Sequence, residues 1–451
     1  MLNIYAVRRF WLLPILAIPI ALASCSQGEP GTEAEALTDV ADVRTTTTKR
    51  EWSVAGVARG KVESSTSEPV DEPDRTIPPR ETPKAQSGLL TAGDHDDLLN
   101  PELYADYAER FLQQAGRDLP FVDTRTRVAV NVVDARGRPV PFARVDVRRD
   151  GSPLRLVAAA DGTASFYPAF DRIPASTIVS VTSEAGSASR SISLGRGQSR
   201  RVDIALQGNA RPIAAMDLAL VIDTTGSMGD EMAYLQAELD SIVARLGREA
   251  GNLDLRIGVI VYRDEGDDYV VRSMPLTGNF RSVQANLARQ ESNGGGDTPE
   301  AVDQALAAAE RMQWRPNAAK AVLLVADAPP HEQGLAPTLA STERLRSHGV
   351  QIVPVAASGV EDSAQYVMRT MAALTQGRYI FLTDDSGVGN PHAEPDVACY
   401  LVTRLDQLIA RVLAGIAEGR RIEPAPAEVI RTVGDYDRGR CVRPRAAPDQ
   451  S

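Results

Sequence analysis

The sequence is short of the residues on which most catalysts and nucleic-acid binders depend. Its 451 residues include only four histidines and three cysteines. No His-Glu-x-x-His segment occurs, which removes the common helical zinc-hydrolase arrangement, and no Gly-x-x-x-x-Gly-Lys-Ser/Thr loop is present to cradle nucleotide phosphates. Positive charge is in deficit. Lys plus Arg total 49 against 60 Asp plus Glu, a net charge of −11, so the basic face that nucleic acid requires is not expected. Aromatics make up 5% of the chain, and a core must therefore be built from Ala, Val, Leu and Ile. No internal repeat is visible at a period of roughly 20 to 50 residues. What remains is 43% apolar residues, enough for a sizeable core, in a length that suits two or three domains.

The first residues read as a processing segment. Arg8 and Arg9 precede an apolar run over residues 10–23 that is broken by Pro14 and Pro19 and falls short of the roughly 20 residues a spanning helix needs. The run ends in Leu22-Ala23-Ser24-Cys25, which resembles a bacterial lipoprotein lipobox. The resemblance implies removal of residues 1–24, lipidation of Cys25 and tethering to a membrane of the bacterial cell envelope. Ser26 rather than Asp after that cysteine favours the outer membrane under the sorting rules of such proteins. A simple cleaved signal peptide is the alternative. In an oxidising compartment the other two cysteines, Cys399 and Cys441, are expected to pair and to close the C-terminal tail onto the last helix. Two unpaired thiols are the other possibility.

Residues 25–87 are rich in Thr, Ser, Glu, Pro and Arg, without periodicity, and read as a disordered linker. In residues 88–120, Leu98, Leu99, Leu103, Tyr104, Tyr107, Phe111 and Leu112 recur at helical spacing after Asn100-Pro101, a cap followed by a first-turn proline. This is expected to be a helical lead-in that packs on a neighbouring domain. Residues 127–207 show period-two strands such as Ala143-Arg144-Val145-Asp146-Val147 and Thr177-Ile178-Val179-Ser180-Val181 with turns between them, the pattern of a small all-β sandwich. The segment VVDARGRPVPFARVDV with AADGTASF resembles the carboxypeptidase regulatory-like sandwich, a module that implies spacing or contact rather than catalysis.

From residue 212 to 420 strands and helices alternate, which predicts an α/β fold with a doubly wound, mostly parallel sheet. Residues 216–222, 257–262, 321–326 and 351–356 are apolar enough to be buried on both faces. Helices are expected near 300–312, 336–347, 363–374 and 397–416, and the tail 421–451 is expected to be mostly irregular.

Three loops carry candidate chemistry on the sheet edge where such folds place ligands. Asp223-Thr224-Thr225-Gly226-Ser227 follows the first of these strands, and the alternation lets the oxygens of Asp223, Thr225 and Ser227 face one way. Gly294-Gly295-Gly296 allows close backbone approach ahead of Asp297 and Thr298. Asp327 ends the strand 321–326. A carboxylate with hydroxyls is hard-oxygen chemistry, suited to Mg²⁺ or Ca²⁺. The acidic loop of Asp264, Glu265, Asp267 and Asp268 reads as solvated, with a supplement to the metal as the alternative, and His331 reads as a surface or capping residue, with a place beside the site as the alternative.

Together these loops resemble the metal-ion-dependent adhesion site of von Willebrand factor type A domains, whose pattern is Asp-x-Ser/Thr-x-Ser, a Thr on a second loop and an Asp on a third. Asp223, Thr225, Ser227 and Asp327 match. The second loop departs: GGGDTPEA resembles a subgroup with Asp at the tip, so Asp297 is assigned as the ligand, with Thr298 as the alternative. VYRDEGDDYVV and WRPNAAKAVLLVADAPPH resemble the same subgroup, and the likeness spans residues 212–416. It implies a divalent cation, Mg²⁺ first and Ca²⁺ or Mn²⁺ as alternatives, with a position left for an acidic side chain of a protein partner. The expected function is metal-dependent adhesion or assembly, not catalysis. Two other readings are a passive module of a structural envelope protein and a serine hydrolase built on Ser227. Against the latter, Thr225 stands where the Gly-x-Ser-x-Gly pattern has its first glycine.

Overall fold

The computed structural model describes residues 86–442, apart from 116–118, 196–198, 231, 250–252, 297, 388–391 and 393–394. The expected signal segment, Cys25 and all but the last two residues of the linker lie outside the described residues.

In chain order the elements begin with β1 (Thr91–His95) and α1 (Pro101–Ala115). A run of strands follows: β2 (Val128–Val133), β3 (Arg144–Val147), β4 (Leu154–Val157), β5 (Thr163–Phe166), β6 (Ser176–Ser183), β7 (Gly186–Ser193) and β8 (Arg200–Ala205). The alternating part continues with β9 (Ala215–Asp223), α2 (Met232–Glu249), β10 (Asp254–Tyr262), β11 (Val271–Thr277), α3 (Phe280–Leu287), α4 (Val302–Glu310), β12 (Ala319–Ala326) and α5 (Leu335–Ser347). It ends with β13 (Val350–Ala356), α6 (Asp362–Thr375), β14 (Tyr379–Thr383), β15 (Tyr400–Arg404), α7 (Leu405–Glu418) and β16 (Arg431–Val433).

Strands β9 and β12 are apolar along nearly their whole length because helices cover both faces of their sheet. Its nine strands run in the order β11-β10-β9-β12-β13-β14-β1-β15-β16. The five from β10 to β14 are mutually parallel. Helices α2, α3 and α7 bury Leu235, Leu239, Leu287 and Leu408 on one face, while α1, α4, α5 and α6 bury Tyr104, Leu306, Leu345 and Met371 on the other. The chain leaves β9 toward β10 and later returns to β9's other side as β12, so the C-terminal ends of β9 and β12 form the switch point where doubly wound sheets bind ligands.

Strands β2 to β8 form a sandwich of a three-stranded sheet, β5-β2-β8, and a four-stranded sheet, β4-β3-β6-β7. Inward residues such as Val130, Val145, Phe166 and Val181 fill it, as the period-two pattern predicts. It lies in the chain between β1-α1 and β9, so the α/β sheet is assembled from segments on both sides of the sandwich.

Four expectations need correction. Residues 88–120 are more than a helical lead-in, because Thr91–His95 is a central strand paired antiparallel with both β14 and β15. Its Thr-Ala-Gly-Asp-His sequence has neither alternation nor a β-branched run, and its place is set by packing. A Cβ at Gly93 would lie 2.6 Å from the Phe381 ring and 2.8 Å from Tyr400, so the two rings close over the bare backbone. The helix expected over 397–416 is instead β15 followed by α7, since Tyr400-Leu401-Val402-Thr403 extends the sheet beside β1. The tail is also less irregular than read: Arg431–Val433 pairs with β15. Cys399 and Cys441 are joined with Cα atoms 5.4 Å apart, but the link fixes the tail to the entry of β15 rather than to α7. There the Cys441 N–H donates to Asn100 Oδ1 at 2.8 Å, tying the tail to the start of α1.

Candidate metal centre

Asp223 is the last residue of β9 and is fully buried. Its Oδ1 accepts the Thr225 N–H at 2.9 Å and the Thr225 hydroxyl at 2.7 Å. With that proton committed, Ser227 Oγ, 3.1 Å from Thr225 Oγ1, acts as donor, and lone pairs of both hydroxyl oxygens stay available. Ser227 is exposed at the rim of the turn Gly226–Asp230, while Thr225 is buried. Asp327, just past β12, is nearly buried and close enough for its charge to act on Asp223. The structure therefore brings Asp223, Thr225, Ser227 and Asp327 to one sheet edge.

The glycine loop locks onto the first turn through its backbone. The Gly226 N–H donates to Gly294 O at 2.9 Å, and the Asn293 N–H donates to Thr224 O at 3.0 Å. Gly295 has φ +59°, and a Cβ there would lie 2.8 Å from Glu300 Oε1 and 2.9 Å from Thr225 Cβ. Only glycine lets the loop pass between these two side chains. Asp297 lies outside the described residues. Thr298 is exposed, and the side chain this loop delivers to the cluster is Glu300, which is only 3% exposed.

Glu300 was not singled out from the sequence, because nothing in Thr-Pro-Glu marks a glutamate as buried. In the loop after β10, Glu265 and Asp268 are exposed as expected, but Asp264 and Asp267 are not free in solvent. Asp264 is nearly buried and bonded to His331 Nε2 at 2.6 Å. Asp267 Oδ2 accepts the N–H groups of Gly295 at 2.9 Å and Asp264 at 3.1 Å. Asp264 and Asp267 clamp the glycine loop instead of standing in solvent, and His331, which holds the N-cap position of the turn Glu332–Gly334, turns its ring to Asp264 rather than capping with its side chain.

Carboxylates so close together repel one another. Burial, and then the charge of Asp327, push Asp223 up to about 7. Burial, followed by Asp223, Asp264, Asp327 and Asp267, pushes Glu300 up to about 9. Asp223 Oδ2 and Glu300 Oε2 are buried with no hydrogen-bond partner among the described residues. Clustered negative charge with orphaned acceptor oxygens is the environment a hard divalent cation relieves. Among the described residues no three His, Cys, Asp or Glu side chains are placed to hold an ion by themselves. A cation here would draw on the Thr225 and Ser227 hydroxyls together with Asp223 and Asp327, and the donor set fits Mg²⁺ in kind.

Residues 217–391 match the von Willebrand factor type A domain. Over 120 residues, 27% of this chain and 12% of the relative, the sequence is 33% identical to an ariadne-like RING finger protein of Acanthamoeba polyphaga mimivirus. Over 125 residues, 27% of this chain and 20% of the relative, it is 30% identical to the alpha-protein kinase vwkA of Dictyostelium discoideum. The matches thus span a fifth or less of these relatives' lengths. Two solved structures are similar at low identity. One is an aerotolerance-related membrane protein from Bacteroides fragilis (16% identity, TM-score 0.26, 47% of this chain and 93% of that one). The other is the pilus adhesin SpaC from Lactobacillus rhamnosus GG (11% identity, TM-score 0.33, 62% of this chain and 34% of that one). The sheet order, the three loops at its switch point and the matched residues lead to one conclusion: this chain contains a von Willebrand factor type A domain.

Proposed function

We propose that the α/β part is a metal-dependent protein-binding module, carried on a cell-envelope lipoprotein and used in adhesion or assembly. The observation that carries this reading is the convergence of Asp223, Thr225, Ser227 and Asp327 on one sheet edge beside Glu300, where the buried Asp223 Oδ2 and Glu300 Oε2 have no hydrogen-bond partner among the described residues. When bound, a divalent cation, Mg²⁺ first and Ca²⁺ or Mn²⁺ as alternatives, supplies positive charge and a coordination position that a partner's Asp or Glu can fill. The chain's own residues do the rest. Asp223 orients Thr225 through two hydrogen bonds, and exposed Ser227 marks the face a partner reaches. The Asp267 clamp keeps the glycine loop seated, and Asp297 or Thr298 supplies the second-loop oxygen. Anchoring rests on the Leu-Ala-Ser-Cys segment at Cys25, with the outer membrane as the favoured site. No helix among the described residues is long and apolar enough to cross a membrane.

Calorimetric titration of the full chain with MgCl₂ tests the reading. Saturable uptake is expected in the unaltered protein and not in Asp223→Ala. Absence of uptake of magnesium, manganese and calcium alike would overturn it. Partner capture from envelope extract that survives both chelation and Asp223→Ala would point to a passive module instead.

A further inference from the structure

A cavity of about 470 Å³ lies at the seam between the sandwich and the α/β part. It stands at the end of the sheet opposite the metal centre. Among its lining residues, Arg378 directly precedes β14 and Gly419 follows α7, whereas Asp223 and Asp327 stand at the far ends of β9 and β12, which run parallel to β14. Two close contacts fix the walls. Gln376, at φ +62° after α6, accepts the Ser165 hydroxyl at 2.6 Å and donates to Thr163 O at 3.0 Å. Gly419 passes so near Ala160 that an added Cβ would lie 2.6 Å from the Ala160 carbonyl carbon.

The lining is rich in guanidinium. Arg127, Arg200 and Arg201 come from the sandwich, and Arg378, Arg420 and Arg421 from the α/β part, against the two carboxylates of Asp96 and Asp161. Some of these charges are already matched, Arg201 by Asp203, Arg420 by Glu418 and Arg421 by Glu423. Arg378 is not. Its side chain is 13% exposed, and the carboxylate oxygens it approaches, on Asp94 and Asp96, stand at 3.5 and 3.9 Å, beyond good hydrogen-bond distance. Both carboxylates are shared with Arg421. Arg127 is half-buried, and its guanidinium makes no hydrogen bond or ion pair among the described residues. Asp161 turns its Oδ1 to the Thr163 N–H at 2.8 Å. Each guanidinium offers five donors in a planar fork, so the cavity presents two forks with most of their donors unused. A single carboxylate is filled by one fork, whereas a phosphate has oxygens enough for both. Leu98, Val412 and Ile416 add an apolar wall, and the volume falls within the range of small-molecule sites.

We propose that this seam cavity binds a small phosphate monoester, its phosphate held by Arg127 and Arg378 and its organic part against Leu98, Val412 and Ile416, independently of the metal centre. Because the two arginines belong to different parts of the molecule, the occupant ties the sandwich to the α/β part.

The test is calorimetric titration of the full chain with phenyl phosphate in the presence of chelator. Saturable binding at millimolar concentration or below is expected, with a rise in melting temperature, and replacing chelator by MgCl₂ should not change it. Arg127→Gln and Arg378→Gln should each weaken binding about 10- to 100-fold, the scale of lost hydrogen bonds to a charged group. Benzoate should bind more weakly than phenyl phosphate. No saturable binding of phenyl phosphate, equal binding of benzoate, a requirement for metal, or full affinity in both glutamine variants would each overturn the proposal. Where a variant misfolds, the unaltered chain decides the matter: phenyl phosphate should shield Arg127 and Arg378 from phenylglyoxal in mapped peptides, and shielding confined to other arginines would equally overturn it.

Discussion

Glu300 meets four other carboxylates through its charge, those of Asp223, Asp264, Asp327 and Asp267. Its effects on stability and on metal binding should therefore oppose each other. With metal chelated, its folded-state value is raised from 4.5 to about 9. Below about pH 4.5 the carboxyl is protonated in both folded and unfolded chains, and its contribution to stability is complete. That contribution is lost as pH rises toward 9, because the unfolded chain releases the proton first. Glu300→Gln stays neutral throughout. In chelator the variant should gain on the unaltered protein as pH rises, reaching about 2–3 kcal/mol at pH 7 in denaturant titrations. Its Mg²⁺ affinity should fall about 10- to 100-fold, as when a supporting side chain of a metal site is removed. Identical stability profiles from pH 4 to 9 would show that Glu300 carries no such strain. The sequence exposed Asp223, Thr225, Ser227 and Asp327 through a short local pattern. It hid Glu300 and Asp264, since burial of a charged residue is decided by what folds over it.

Among the elements, β1 shows where local pattern stops being informative. Its five residues are all buried and pair on both sides, yet none belongs to an apolar run like those of β9 and β12. Gly93→Ala would press a methyl into the Phe381 and Tyr400 rings. We expect it to destabilise the chain by about 1–3 kcal/mol in urea unfolding, with no loss of metal uptake at temperatures where the variant is folded. A neutral result would mean that the rings relax freely. The helical stripe of α2 and the continuous apolar strands were legible because one buried face or two impose a period. The boundary between β15 and α7 is not legible because Val397–Ile416 is apolar at both spacings, and only the place beside β1 selects strand for its first part.

For the whole molecule, the sandwich is held against the α/β part by a buried ion pair and neutral hydrogen bonds. Arg346 of α5 meets Asp171 at 2.7 and 2.9 Å, with both side chains nearly inaccessible. The Tyr167 hydroxyl donates to Ala373 O at 2.6 Å, and Ser165 bonds Gln376 at 2.6 Å. Asp171→Ala leaves the Arg346 charge buried without its carboxylate, at about 3–5 kcal/mol. Calorimetry should show a lower melting temperature, with sandwich and α/β transitions separating, and an unchanged single transition would refute a coupling role for the pair. By itself the sequence determined the α/β class, the sandwich and the loops that hold Asp223, Thr225, Ser227 and Asp327, because hydrophobic period and short loop motifs are local properties of the chain. Only the tertiary structure decided that Thr91–His95 is a central strand, and that Glu300 and Asp264 join the candidate site beside Asp223. Each of these depends on residues far apart in the chain being brought together by the packing of one sheet.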